Sequence, residues 1–230
     1  MNIASLFSGG KDSTYSIYKA KQEGHQIRCL ITILPLSEES MLLHFPNIEL
    51  TKLQSKSMGI PQIYIESRSN ETETEVNLIE KILAKAKSEY DLEGLVHGGI
   101  LSKFQKNIFD RVCSKLNLKL ISPLWQKEQI EYMKNLIESN FNFIITSVSA
   151  DGLDEKWLGK EITIQDLEKL DQLSKKYGFN INFEGGEAET MVIDCPLFSH
   201  PIMILKSRKI WDGIRGRFEI LDAELDYRAR

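Results

Sequence analysis

At 230 residues, with 42% hydrophobic and 27% charged side chains, the chain has the composition of a soluble globular protein and the length to bury a real core. A net charge of −4 gives no basic field to draw it to nucleic acid, and no apolar run approaches the ~20 residues of a membrane helix. Cys29, Cys113 and Cys195 make neither a disulfide framework nor a C-x-x-C pair, and the N-terminus lacks a signal-peptide pattern, so the expectation is free thiols in a reducing cytoplasm.

"NIASLF" predicts the first strand and "DSTYSIYKAKQEG" a helix, with Tyr15, Ile17, Tyr18 and Ala20 along its length and Gly24 closing it. "QIRCLITIL" is a continuous apolar strand stopped by Pro35. "NIELTKLQSKSMG" predicts a helix ending at Gly59, and "PQIYIES" another strand. "VNLIEKILAKAKSEY" follows Glu71, Glu73 and Glu75 and ends among Lys81, Lys85 and Lys87, an order that suits the helix dipole. "GLVHGGI" and "KLISPLW" predict two more strands, separated by the helix "QKNIFDRVCSKLN". Apolar strands alternating with helices imply βαβ units and a parallel sheet covered on both faces. Ligands of such sheets sit beyond the carboxyl ends of the strands.

From Gln126 the pattern changes. "EQIEYMKNLIESN" predicts a helix, "FNFIITSVSA" a strand, and "GLDEKWLGKEI" a polar loop. "TIQDLEKLDQLSKKYG" places Leu167, Leu170 and Leu173 at helical spacing. "FNINFEGGEAET", "MVIDCPLF", "IMILKSRKIW" and "RFEILDAEL" complete a half of α+β character. The reading is two domains, 1–125 and 126–230.

Between the first strand and the first helix stands "SGGKDS", Ser8 to Ser13. A glycine-rich strand-to-helix turn points bare backbone N–H groups outward, and the helix N-terminus adds partial positive charge. Lys11 adds a full charge, and Ser8 and Ser13 add hydroxyl donors. Asp12 fits a carboxylate that reaches polyphosphate through Mg²⁺. A plain turn would need Gly9 and Gly10 but not the other four. Neither the Walker A spacing nor G-x-G-x-x-G fits. The segment resembles the PP-loop of the N-type ATP pyrophosphatases, which holds the pyrophosphate of ATP while a substrate atom attacks the α-phosphorus. That resemblance implies a Rossmann-like, adenine-nucleotide alpha-hydrolase-like N-terminal domain with a smaller α+β C-terminal domain.

"FEGGEAET" sets Glu184, Glu187 and Glu189 around Gly185 and Gly186. Carboxylates so dense repel unless a cation neutralises them. An exposed acidic turn is one reading; a site for Mg²⁺, ammonium or a cationic substrate group is the other. Taken with "EESMLLHFPNIELTKLQSKSMGIP", "GGILSKFQ", "SPLWQKEQIEYM", "SADGLDEKWLGKEI" and "DCPLF", the chain resembles the diphthine–ammonia ligase family across nearly its whole length. The resemblance implies ATP-dependent amidation of diphthine on elongation factor 2 by ammonium, through an acyl-adenylate, with AMP and pyrophosphate released. It implies ATP and Mg²⁺, a cytoplasmic enzyme, and elongation factor 2 as protein substrate. Neither nucleic acid nor membrane is an expected partner, and a homo-oligomer is left open.

On that resemblance Lys11, Asp12 and Glu187 are the catalytic candidates. Ser8, Gly9, Gly10, Lys11, Asp12, Ser13, His44, Gly99, Ser102 and Gln105 would hold the nucleotide, with Asp12 toward the metal. Glu184, Gly185, Gly186, Glu187, Glu189 and Thr190 would hold the substrate. His97 ends the fourth strand at the ligand edge. Trp125 and Trp157 either pack in the ordinary way, the reading preferred for both, or offer a cation–π contact to the trimethylammonium group. Asp151, Asp154 and Lys156 suggest either a lid or a solvated loop. The family often has glycine where this chain has Phe183, and tyrosine where it has Phe104; its eukaryotic members are expected to carry extra C-terminal domains. Two other readings stand beside the ligase: an adenylating amidase for a small carboxylate such as a cobalamin precursor, and a non-catalytic ATP-binding module.

Overall fold

A strand that is apolar on both sides has to lie between two layers. The computed structural model describes residues 1–35, 47–69 and 71–229. In it Cys29, Leu30, Ile31, Thr32 and Ile33 are buried in succession within β2 (Gln26–Leu34). With β1 (Asn2–Leu6), β3 (Gln62–Glu66), β4 (Gly94–Val96) and β5 (Lys119–Ile121) it forms an all-parallel sheet of order β3-β2-β1-β4-β5. Helices α1 (Lys11–Gln22), α2 (Thr51–Met58), α3 (Thr72–Tyr90) and α4 (Lys103–Lys115) lie between the strands in sequence. Ala4 and Leu95 pack with Ile79, Leu83, Phe109 and Val112 from α3 and α4, while Ile3 and Val96 pack with Ala20 of α1. Both faces are therefore covered, as the apolar strands predict. The strand order reverses at the β1–β4 pair, the place where such sheets leave a crevice beyond their carboxyl ends.

Several boundaries differ from the sequence expectation, and three of them have a local cause. α3 starts at Thr72, so Glu73 and Glu75 lie inside its first turn, where they meet the helix dipole directly. α4 starts at Lys103 because the Ser102 hydroxyl caps it, accepting from the Gln105 N–H at 3.3 Å. β4 stops at Val96, short of "HGGI", because the backbone of Gly98 turns against another backbone segment.

The chain divides by packing into two units. One holds Met1–Ser8 and Asp12–Trp125; the other holds Gly9–Lys11 and the chain from Gln126 onward. The second unit carries an antiparallel sheet of order β7-β6-β9-β8, from β6 (Asn142–Val148), β7 (Ala188–Asp194), β8 (Ile202–Trp211) and β9 (Gly216–Leu225). Its helices α5 (Gln129–Glu138) and α6 (Ile164–Tyr177) bury Tyr132, Met133 and Leu136, and Leu167 and Leu170. Among the described residues no helix is long and apolar enough to cross a membrane.

Candidate functional site

β1 delivers the chain to a turn in which Gly9 takes φ +79°, a left-handed value that glycine adopts without strain. α1 then begins at Lys11, with Asp12 in its first turn. In the first unit, the Ser13 hydroxyl accepts from the Ser8 N–H at 3.3 Å and lies 3.1 Å from the Ser8 hydroxyl. The loop after β4 approaches this turn closely. A Cβ on Gly98 would lie 2.6 Å from the Asp12 carbonyl carbon and 2.7 Å from the Ser13 nitrogen. Only glycine fits there. Gly98→Ala is expected to lower stability by about 1–3 kcal/mol through overpacking. A urea midpoint equal to wild type would show that the two segments can separate at no cost.

His97 holds the same loop. Its imidazole is buried, 2.7 Å from the Ser122 hydroxyl through Nε2, while Nδ1 accepts from the Gly99 N–H at 3.1 Å. Since Nδ1 is an acceptor, the ring proton sits on Nε2 and donates to Ser122. Burial first, then the Lys106 charge, lower its pKa from 6.5 to about 4, against an opposing pull from Asp110. At neutral pH His97 is therefore an uncharged brace between β4, β5 and the glycine pair. A Cβ on Gly99 would meet the His97 ring at 2.9 Å. Ser102 and Gln105 follow at the head of α4. His44 lies outside the described residues.

The second unit contains what the sequence pattern does not foretell. Lys11 is 1% exposed, and its ammonium donates to the Asn182 carbonyl at 2.5 Å and lies 5.5 Å from the centre of the Phe183 ring. Its backbone N–H donates to the Thr190 hydroxyl at 3.2 Å, and the Gly9 carbonyl accepts from the Val192 N–H at 3.0 Å. So Thr190, at the end of the acidic motif, and Val192 hold the backbone of Gly9–Lys11. Glu187 Oε1 accepts from the Asn180 N–H at 2.8 Å and from the Asn180 amide at 2.7 Å, and Oε2 accepts from the Gly185 N–H at 2.7 Å. Asn182 Oδ1 accepts from the Glu184 N–H at 3.3 Å, and its buried amide nitrogen has no protein partner. Phe183 takes φ +61°, a left-handed value that explains why glycine suits this position. Glu184 and Glu189 are half-buried.

Among the described residues no group of three or more His, Cys, Asp or Glu is placed to cage a metal ion, so the three glutamates do not form a metal cluster. Trp157 is 3% exposed, with Lys160 and Lys169 5.1 and 5.4 Å from its ring centre, so it packs in the core and is closed to a quaternary ammonium. Trp125 is half-buried beside Lys106. In the expected lid, Asp154 caps a short 3₁₀ turn by accepting from the Lys156 N–H, while Asp151 is exposed. All three cysteines are free and buried, and burial pushes the Cys29 and Cys113 thiols up to about 12, which rules out a thiolate nucleophile at either. Phe104 is exposed on α4.

Family models match the two parts of the chain separately: the diphthamide synthase N-terminal domain over residues 1–120 and the C-terminal domain over residues 128–225. The chain belongs to the diphthamide synthase family. Relatives in mouse and human, each named diphthine–ammonia ligase, are 35% identical over 229 and 233 residues, covering 91% of this chain and 85% of their own length. The budding-yeast relative of the same name is 33% identical over 234 residues, but this chain spans only 34% of it. The expectation that eukaryotic members of the diphthamide synthase family are longer therefore suits the yeast relative and not the mouse and human ones.

Proposed function

We infer that this chain is an ATP-dependent, AMP-forming ligase that amidates diphthine with ammonium. The observation that carries the reading is the 35% identity, over 91% of the chain, to relatives named diphthine–ammonia ligase. The protein substrate is diphthine-bearing elongation factor 2, and the setting is the cytoplasm. The substrate carboxylate attacks the α-phosphorus of ATP and pyrophosphate leaves. Ammonia then adds to the acyl carbon, AMP departs, and one proton is released to give the amide, diphthamide.

The loop residues Ser8, Gly9, Gly10 and Ser13 suit the leaving pyrophosphate, to which glycine-turn N–H groups and hydroxyls donate. Lys11 supplies positive charge from a buried position, where it acts with little screening. Mg²⁺ would enter with the nucleotide and neutralise its charge. A single carboxylate at the loop, Asp12, with no protein cage among the described residues, fits an ion that binds mainly through phosphates. Gly99, Ser102 and Gln105 are assigned to the nucleotide side. Glu184 and Glu189, half-buried and beside Gly185 and Gly186, suit a cationic group, either ammonium or trimethylammonium.

Product analysis tests the reading. The protein is incubated with Mg-ATP and ammonium, with and without diphthine-bearing elongation factor 2. AMP and the carboxylate-to-amide mass change are expected together, and only with the factor. AMP without the factor would instead favour an amidase acting on a small carboxylate. No AMP under any condition would leave an ATP-binding module.

A further inference from the structure

We infer that Glu187 is a positioning residue for Lys11, and that it acts on the adenylation step rather than on ammonium; this rests on the ligase reading above. Both oxygens of the Glu187 carboxylate are engaged within its own turn. They take three donors, the N–H and side-chain amide of Asn180 and the N–H of Gly185, all at 2.7–2.8 Å. Those bonds close a ring across residues 180–187. Inside it the Phe183 N–H donates to the Asn180 carbonyl at 2.9 Å, Phe183 is held left-handed, and Asn182 Oδ1 takes the Glu184 N–H. The far side of the ring is anchored to the end of β6, where the Ser149 hydroxyl donates to the Gly186 carbonyl at 2.6 Å and the Ser149 N–H to the Glu187 carbonyl at 2.9 Å.

The product of this bracing is one carbonyl, that of Asn182, aimed at the buried Lys11 ammonium. A non-glycine residue held left-handed needs its surroundings to keep it there. The Glu187 ring is the agent that does so. Only a carboxylate meets the requirement, because all three partners are donors. Glutamine would turn an NH₂ toward either Asn180 or Gly185, donor against donor. The carboxylate thus serves the turn and, through Asn182, the placement of the lysine charge.

The test is ATP–pyrophosphate exchange with diphthine-bearing elongation factor 2 and no ammonium, for Glu187→Gln and Glu187→Ala, each with Lys11 intact and with Lys11→Ala. Exchange is expected to fall about tenfold in each Glu187 variant, and by less than about twofold when Lys11 is already alanine, since coupled residues are not additive. Normal exchange with a raised KM for ammonium would place Glu187 on the ammonium and overturn the inference. Losses that multiply independently of Lys11 would overturn it too. A second measurement does not need activity: acylation of Lys11 by an amine-selective reagent, read by peptide mass. Lys11 is expected to be protected in the wild type and reactive in Glu187→Gln; equal protection in both would overturn the inference. A wild type without exchange on any substrate would defeat the ligase reading, and the acylation arm would still decide the role of Glu187.

Discussion

Lys11→Ala is expected to lower ATP–pyrophosphate exchange by about 10²–10³-fold, the usual consequence of removing one preorganised group from a developing oxyanion. The size of the effect follows from burial. An exposed lysine would be screened by water and replaced in part by solvent cations, but Lys11 is 1% exposed. Its ammonium is fixed at 2.5 Å from the Asn182 carbonyl, so under the proposed adenylation role little reorganisation would be needed as charge appears on the leaving group. The same substitution strips the Asn182 carbonyl of that donor, which adds a stability loss of about 1–3 kcal/mol. The two effects separate by experiment: exchange is measured at saturating ATP and again after the folded fraction is fixed from a urea titration. Exchange within about threefold of wild type would remove Lys11 from the adenylation step.

The second large effect is on stability against pH. His97 in the folded protein takes a proton only near pH 4, whereas unfolded it takes one near 6.5. Between those values the unfolded chain binds more protons, so stability falls as pH falls. Above about pH 6.5 the contribution is complete. By pH 4 the loss amounts to about 3 kcal/mol at 1.36 kcal/mol for each pKa unit. The sign has a structural cause. A protonated imidazole would place a donor on Nδ1 against the Gly99 N–H and would put a charge near Lys106. Urea unfolding of wild type and His97→Gln from pH 4 to 7.5 measures it. The wild type is expected to lose stability through this window more steeply than the variant; equal slopes would mean that His97 is not the titrating group.

The parallel sheet is legible in the sequence because continuous apolar runs such as "QIRCLITIL" have no other stable setting than a covered sheet. The turn between β1 and α1 is legible because serine, lysine and aspartate gather round two glycines there, and the structure places Gly9 left-handed at the head of α1. The acidic motif is only half legible. Its density signals that something must compensate the charge, yet part of the compensation comes from backbone and amide donors of Asn180 and Gly185, which composition does not advertise. Phenylalanine resists a left-handed conformation, so nothing in "NINFEGGE" announces that the chain doubles back at Phe183. For Trp157 the packing reading holds: the polar loop folds the indole into the core.

The membership of Gly9–Lys11 in the second unit bears on modularity. A fragment starting at Gln126 would lack the Gly9 carbonyl that takes the Val192 N–H, the Lys11 amide that meets Thr190, and the ammonium that meets Asn182. The second half is therefore not a cassette that can be cut out or exchanged at the sequence boundary without leaving β7 and the turn before it short of partners. Any transplant of that half has to treat three residues near the N-terminus as part of the graft.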